Sequence, residues 1–360
     1  MGVMASRVTM EQIAQSAGVS VATVSRVLNN PPQVQQQTRA AVYSAMKKLN
    51  YTPHTLHPHT VDGTQIIGFF APNFTLDSVN ELIRATEAAT ESSPYDILLV
   101  SMRGQRDLGA FITKNSPILR KIDGAIIFSS DVSDEAIAFM DGAGVPMVLL
   151  QTRSNRVRSL SNNNFLGGSD AAGHLLDCGY RKIGFVGWNP ADDHIIDRLA
   201  GWRSRMSRSG APIDESLIAR GDLTPAGGYE ATKTVLSAGK PDAIFFASDV
   251  LALGGMRYLR HHGLRIPDDI GVMGFDDLRV AEPLGLTTMR QFFSTKAKMA
   301  IDYLIKRISG EIRENRPEEI QISPGLVVRE TTRPFNSVHN INSVHNTVDF
   351  DGDKQKEDSV

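Results

Sequence analysis

Seven short apolar runs, separated by stretches of helical periodicity, constrain this chain more than any other feature. They are IIGFFA (66–71), DILLVS (96–101), GAIIFSS (124–130), PMVLLQ (146–151), KIGFVG (182–187), AIFFAS (243–248) and IGVMGFD (270–276). Runs this continuous, with no polar alternation, read as strands buried on both faces, the condition of a parallel sheet covered by helices. Patterns such as NELIRATEAAT and GGSDAAGHLLDCG supply the crossover helices. The strands suffice for two sheets, and 360 residues are too many for one small core.

The first 60 residues follow a different rule. Thr9-Met10-Glu11-Gln12 is a capping box, with Thr9 as cap and Gln12 reaching back. It predicts a helix from about Met10 to Ala17, ended by Gly18. Ser20 caps a second helix over Val21 to Asn29, and a third follows Pro31-Pro32 from about Gln35 to Leu49. Two short helices joined by a glycine-containing turn make a helix-turn-helix. In the second helix Val24, Val27 and Leu28 fall on one stripe, which is the buried one. Ala22, Ser25, Arg26 and Asn29 lie opposite, a slim face with one long fork-shaped cation. Such a face suits the floor of a DNA major groove, where Arg26 pairs with a guanine and Thr23, Ser25 and Asn29 hold phosphates. The alternative is a small bundle whose pale face packs on the body.

Charge agrees with the first reading. The chain carries a net −2, yet residues 1–60 hold Arg7, Arg26, Arg39, Lys47 and Lys48 against Glu11 alone. A basic head on a near-neutral body points to an anionic partner. The single cysteine, Cys178, leaves no internal disulfide framework and fits a reducing compartment. No apolar run approaches the roughly 18 residues of a spanning helix, and the N-terminus has no export signal. These features predict a cytoplasmic protein without membrane contact.

Enzyme chemistry finds little support. GxGxxG, GxxxxGK[ST] and HExxH are missing, and no histidine has metal-ligand spacing. Gly167-Gly168-Ser169-Asp170-Ala171 approaches a nucleophile elbow but lacks the final glycine, so it reads as a helix start. No catalytic residue, metal or cofactor is expected.

The stretch VTMEQIAQSAGVSVATVSRVLNN, with Thr38-Arg39 and Asn50-Tyr51-Thr52-Pro53, resembles the head of the LacI/GalR family of bacterial transcription regulators. By that resemblance Val21, Ala22 and Arg26 match base-reading positions, and Ser20, Thr23, Ser25 and Asn29 match phosphate-contacting ones. Gln35 departs from the serine that often caps the third helix. The likeness runs on to about residue 334 through NNNFLGG, GYRKIGFVG, RLAGW, FASDVLALG, GLRIPDDIGVMGFDD, LTTMRQ and LVVRETT. It implies an all-α helix-turn-helix head (1–53), a hinge (54–65) and a two-lobed α/β body of the periplasmic-binding-protein type with parallel sheets (66–335). One lobe would take about 66–162 with 293–322, the other about 163–292 with 323–334.

A small-molecule effector would bind in the cleft outside the carboxyl ends of the strands. Carried over from the family, Arg198 and Asp276 contact it, and Asp249 sits where asparagine precedes aspartate in most members. Carboxylate and guanidinium groups suit polyols because each makes paired hydrogen bonds with adjacent hydroxyls. The alternatives are a turn-capping aspartate at 276 and a surface salt bridge at Arg198. Asp77, Ser129 and Gln151 complete the candidate effector set. Leu76-Asp77-Ser78-Val79 replaces a family Asn-Pro-Phe-Phe, and Gln151 and Asn163 stand where aspartates are common, so an acidic effector such as a sugar acid fits a less acidic pocket.

The hinge breaks with the family. His57-Pro58-His59-Thr60 replaces a short helix that wedges a leucine into the minor groove, and a proline within a helix costs about 3 kcal/mol. The proline predicts a flexible tether in place of that helix, with the heads reading the major groove alone; the alternative makes Leu56 the wedge. Residues 336–360 repeat NSVHN, end polar and are expected to be disordered; a docked strand around Val344 is the alternative. The expected function is a ligand-responsive regulator, a repressor of a carbohydrate or sugar-acid operon. It would bind a near-palindromic double-stranded operator as a homodimer or a tetramer. A transport-type sugar-binding protein and a Rossmann-type enzyme are the rivals.

Overall fold

The computed structural model describes residues 9–29, 34–49, 63–188, 192–313 and 317–335. The hinge residues Leu56 and Pro58, and the tail 336–360, lie outside the described residues. In the head, α1 (Met10–Ala17), α2 (Val21–Asn29) and α3 (Gln36–Lys48) pack around Ile13, Val24, Val27, Val42 and Met46. Thr9 and Gln12 form the reciprocal capping box, and Gly18 takes φ 65 to end α1. The Ser20 hydroxyl accepts from the Thr23 amide at 3.1 Å, fixing the start of α2.

The first lobe is a six-stranded sheet in the order β11-β5-β4-β3-β1-β2. Its strands are β1 (Ile66–Ala71), β2 (Asp96–Ser101), β3 (Gly124–Phe128), β4 (Met147–Leu150), β5 (Ser159–Asn162) and β11 (Glu319–Ile322). Every pairing is parallel. Successive side chains serve opposite faces. Ile67, Phe69, Ile126 and Val148 meet α4 (Asp77–Thr90) and α11 (Phe293–Ile308). Phe70, Ile127 and Leu149 meet α5 (Leu108–Asn115) and α6 (Asp134–Gly142).

The second lobe repeats the plan with four parallel strands in the order β7-β6-β8-β9. These are β6 (Ile183–Gly187), β7 (Ile218–Arg220), β8 (Ala243–Phe246) and β9 (Gly271–Met273). One face carries α7 (Asn164–Asp177) and α8 (Asp193–Arg208), the other α9 (Pro225–Ala238) and α10 (Asp249–His261). An antiparallel pair, β10 (Thr288–Arg290) with β12 (Gly325–Val327), departs from the purely parallel expectation. It stands where the chain crosses between lobes. The crossings run from β5 into α7, from β10 into α11, and from β11 into β12.

Two glycines set the spacing of α7 and α8. A Cβ on Gly168 would lie 2.0 Å from the Arg198 carbonyl oxygen, and one on Gly201 would lie 1.9 Å from that of Phe165. Only glycine permits that backbone contact. It carries Arg198, on the first turns of α8, against Asn164 at the start of α7. The Gly167–Ala171 stretch is thus interior helix, capped by the Asn163 side chain.

Candidate functional site

On the head, the slim face read from the α2 sequence is exposed at Ala22 and Arg26. Val21, Ala22 and Arg26 are exposed, whereas Thr23 and Ser25 are half-buried beside them. Val24 and Val27 are wholly buried beneath. Side chains of Leu28 and Asn29 lie outside the described residues. The exposed Val21, Ala22 and Arg26 lie on the first two turns of α2, where a groove-reading helix meets base edges.

In the body, the strand ends of both lobes converge on a cleft. A chamber of about 160 Å³ lies between Asp77, Ser129 and Gln151 of the first lobe and Arg198, Ser248 and Asp276 of the second. It opens, past Arg106, Gln151, Asp192 and His194, into a mouth of about 570 Å³. Leaving their strands, Ser129, Gln151 and Asp276 take φ 44, 56 and 119. Non-glycine residues there are strained, and such strain clusters where side chains must be aimed. All three line the chamber.

Arg198 is buried, at 3% exposure, and is no surface salt bridge. Its guanidinium carbon sits 3.6 Å from the Phe275 ring centroid and 5.7 Å from that of Trp188. Its Nε donates to Asn164 Oδ1 at 2.9 Å, its Nη1 donates to the Ala247 carbonyl, and Asp276 Oδ1 lies 3.5 Å away. Asp276 also accepts from the Ser248 hydroxyl at 2.8 Å and from Gln291 Nε2. Burial pushes the Asp276 carboxyl above its ordinary range, and Arg198 opposes the shift. The same burial, with Arg198 beside it, lowers the His194 imidazole.

Asp249 departs from the expectation. It is fully buried but does not line the chamber. One oxygen accepts from the Leu278 amide at 2.8 Å and the other from the Thr288 hydroxyl at 2.6 Å. Both lone-pair faces are taken by the loop after β9 and by β10, so Asp249 braces the segment that carries Asp276. Burial, and then Asp276 nearby, raises its carboxyl well above the usual value.

Sequence reasoning missed Asn162, Asn164, Trp188, Asp192, Ser248, Gln291 and Lys296, and set His194 aside. Gln291 stood inside the LTTMRQ stretch, Asn162 and Asn164 inside NNNF, and Ser248 inside FASDVLALG, so four signals were present. Lys296 had none, because a lysine in the amphipathic pattern of α11 reads as solvated. Ion pairs also cross the cleft: Arg153 to Asp197, and Arg279 to Glu81 at 3.5 Å. Cys178 is buried, and its thiol is pushed up to about 11, chiefly by desolvation. Among the described residues no group of three or more His, Cys, Asp or Glu could hold a metal, and no helix is long and apolar enough to cross a membrane.

Comparison with known proteins places both parts. Residues 9–54 match the family described as bacterial regulatory proteins, lacI family, and residues 172–332 match a periplasmic binding protein-like domain. The HTH-type transcriptional repressor PurR of Proteus mirabilis is 31% identical over 332 residues, covering 90% of this chain and 96% of that one. A transcriptional regulator CelR–cellobiose complex is similar at TM-score 0.65 and 29% identity, over 90% of this chain and all of that one. The lac repressor dimer bound to operator and the anti-inducer ONPF is similar at TM-score 0.64 and 26% identity, over 91% and 100%. A further likeness, at TM-score 0.65 and 25% identity over 75% of this chain and all of that one, is to an Enterococcus faecium regulator with bound ribose.

Proposed function

Because this chain belongs to the lacI family of bacterial regulatory proteins, we propose that it represses a carbohydrate or sugar-acid utilisation operon under control of a monosaccharide-sized effector. It is a ligand-responsive transcriptional repressor rather than an enzyme. The finer reading rests on one observation: a buried guanidinium and carboxylate, Arg198 and Asp276, form the floor of a chamber of about 160 Å³. A cavity of roughly 150 Å³ accommodates one six-membered ring. Ser248, Gln291 and Gln151 add hydroxyl and amide groups around that floor, and Trp188, Leu223 and Phe128 add apolar wall. Polar groups converging in a partly apolar pocket suit a polyol with one hydrophobic face. Arg106 and Arg198 give an acidic group on the effector a cationic neighbour.

On the DNA side, Arg26 pairs with a guanine, and Val21 and Ala22 pack against base edges. Ser20, Thr23, Ser25 and Asn29 contact phosphates. The active form is a cytoplasmic homodimer on a near-palindromic operator, since two heads related by a two-fold axis read two half-sites. Thermal-shift screening of monosaccharides, sugar acids and sugar phosphates, with purine bases as the competing arm, tests the effector class. A shift only with purine bases would sink the carbohydrate reading.

A further inference from the structure

Lys296, on the first turns of α11, is fully buried and has no part in the reading above. Its Nζ donates to Asn162 Oδ1 at 2.8 Å and lies 5.0 Å from the Phe293 ring centroid. Asn162 Nδ2 donates to Gln291 Oε1, and Gln151 Nε2 donates to the same oxygen at 2.8 Å. Gln291 Nε2 donates to Asp276 Oδ1. An ammonium only donates and an ionised carboxylate only accepts. With Lys296 at one end and Asp276 at the other, each amide between them has one orientation. Asn162 turns its carbonyl to Lys296. Gln291 turns its carbonyl to Asn162 and Gln151, so Gln151 must commit its amino group there. What remains is Gln151 Oε1, which is buried and has no hydrogen-bond partner among the described residues.

We infer that Lys296 is a positioning residue for the effector site. It fixes the polarity of the Asn162–Gln291–Gln151 chain, so that Gln151, which lines the chamber with Asp276, keeps its carbonyl oxygen as the uncommitted acceptor; that oxygen is covered in this structure and is reached when a ligand parts the side chains over it. Both groups bond the same Gln291 amide, so they stand one amide apart. That paired acceptor takes two hydroxyl donors of one ligand, such as a vicinal diol. The inference rests on the cleft holding the effector. It also says how occupancy reaches the fold: Asn162 ends β5 and Gln291 follows β10, at two of the crossings between lobes. A ligand closing on Gln151 and Asp276 therefore tightens a chain that ties both crossings to α11.

Melting curves of the full chain from about pH 4 to about pH 6.5, where the folded chain keeps Lys296 charged, test the polarity without any ligand. The groups around position 291 are Asp276 and Arg198 of the second lobe and Lys296 of α11, with Asp249 and His194 near them. Gln291→Glu places a carboxylate where Asp276 needs a donor. Its Tm deficit against wild type is expected to grow by several degrees as the pH rises and the new carboxyl ionises. Asn162→Asp places a carboxylate against Lys296, so its deficit should stay flat. In a Lys296→Met background, Asn162→Asp should acquire the slope it lacks alone. A lysine that only fills space shifts every variant equally and moves no slope. Equal slopes for Gln291→Glu and Asn162→Asp, or a flat Asn162→Asp deficit that survives Lys296→Met, would overturn the assignment.

The ligand arm uses each monosaccharide or sugar acid that stabilises the wild type. Gln151→Met should bind it at least about tenfold more weakly; unchanged affinity would overturn the acceptor role of Gln151. A panel without a binder counts against the effector class alone, because the melts decide the polarity.

Discussion

Arg198 and Asp276 approach to 3.5 Å at the floor of the cleft, with side chains 4% and 7% exposed. Neither depends on the other alone. Arg198 is stacked on Phe275 and bonded to Asn164 and Ala247, and Asp276 is bonded to Ser248 and Gln291. Two charges held this way stay in place before any ligand arrives, so a ligand gains their hydrogen bonds without ordering them.

Removing either charge leaves its partner buried and uncompensated. Asp276→Ala or Arg198→Ala is expected to cost about 3–5 kcal/mol of stability. Asp276→Asn keeps the shape and should fold, yet lose the response to effector. Denaturant titration and calorimetry with a bound sugar check the two halves separately.

Asp249 and Asp276 should behave oppositely, although both are buried aspartates at strand ends. Asp249→Asn retains an acceptor for the Leu278 amide and a donor for the Thr288 hydroxyl, which can rotate. It is expected to leave effector affinity within about twofold and cost less than about 1 kcal/mol of stability. Effector affinity as low as in Asp276→Asn would put Asp249 back in the chamber.

Gly201→Ala drives a methyl into the Phe165 carbonyl. Overpacking of this kind costs typically about 1–3 kcal/mol. Here α8 must also back away from α7, which carries Arg198 off Asn164. Melting temperature and effector affinity should therefore fall together, and a variant weakened in stability alone would show that α8 shifts without moving Arg198.

Burial lowers the Lys296 amine from the ordinary 10.5 to about 7, with Arg198 adding to the shift and Asp276 opposing it. Between those values the unfolded chain holds the proton and the folded chain does not, so stability contributed here rises with pH across that window. Below about 7 both states hold it, and the folded state bears the whole penalty of a buried ammonium. Lys296→Met should flatten the dependence between about pH 7 and about pH 10. Denaturant unfolding of both proteins across that range is the check.

The parts legible in the sequence are those set by local pattern. The capping box at Thr9, the left-handed Gly18, and strands β1 and β2 lie where periodicity and cap chemistry put them. Short strands with few apolar residues did not stand out: β5 reads SLSN and β7 reads IAR. Of the chamber's lining, the sequence pointed to Ser129, Gln151 and Asp276 after their strands and, through the family likeness, to Arg198 on α8. Asn162, Gln291 and Lys296 meet across more than 120 positions of sequence, and no periodicity encodes that meeting. Asp249 was misplaced for a related reason. A sequence shows that a carboxylate starts a helix, but not which side of the loop it braces.

Operator recognition is expected to hinge on Arg26. Arg26→Ala should cost about 1–3 kcal/mol on the operator and relax specificity at one symmetric position, with little change on random DNA. Anisotropy titrations on both DNAs separate base reading from phosphate attraction, and equal losses would contradict the base-reading role.

The claim that a cleft-bound sugar or sugar acid controls DNA binding is tested most directly by operator anisotropy on wild type and Asp276→Asn, with and without the compound that most raises the wild-type Tm. The account predicts a change in operator Kd of about tenfold or more for the wild type, the scale of a typical allosteric coupling, and none for Asp276→Asn. An equal change in both proteins, or no change in the wild type, would contradict it.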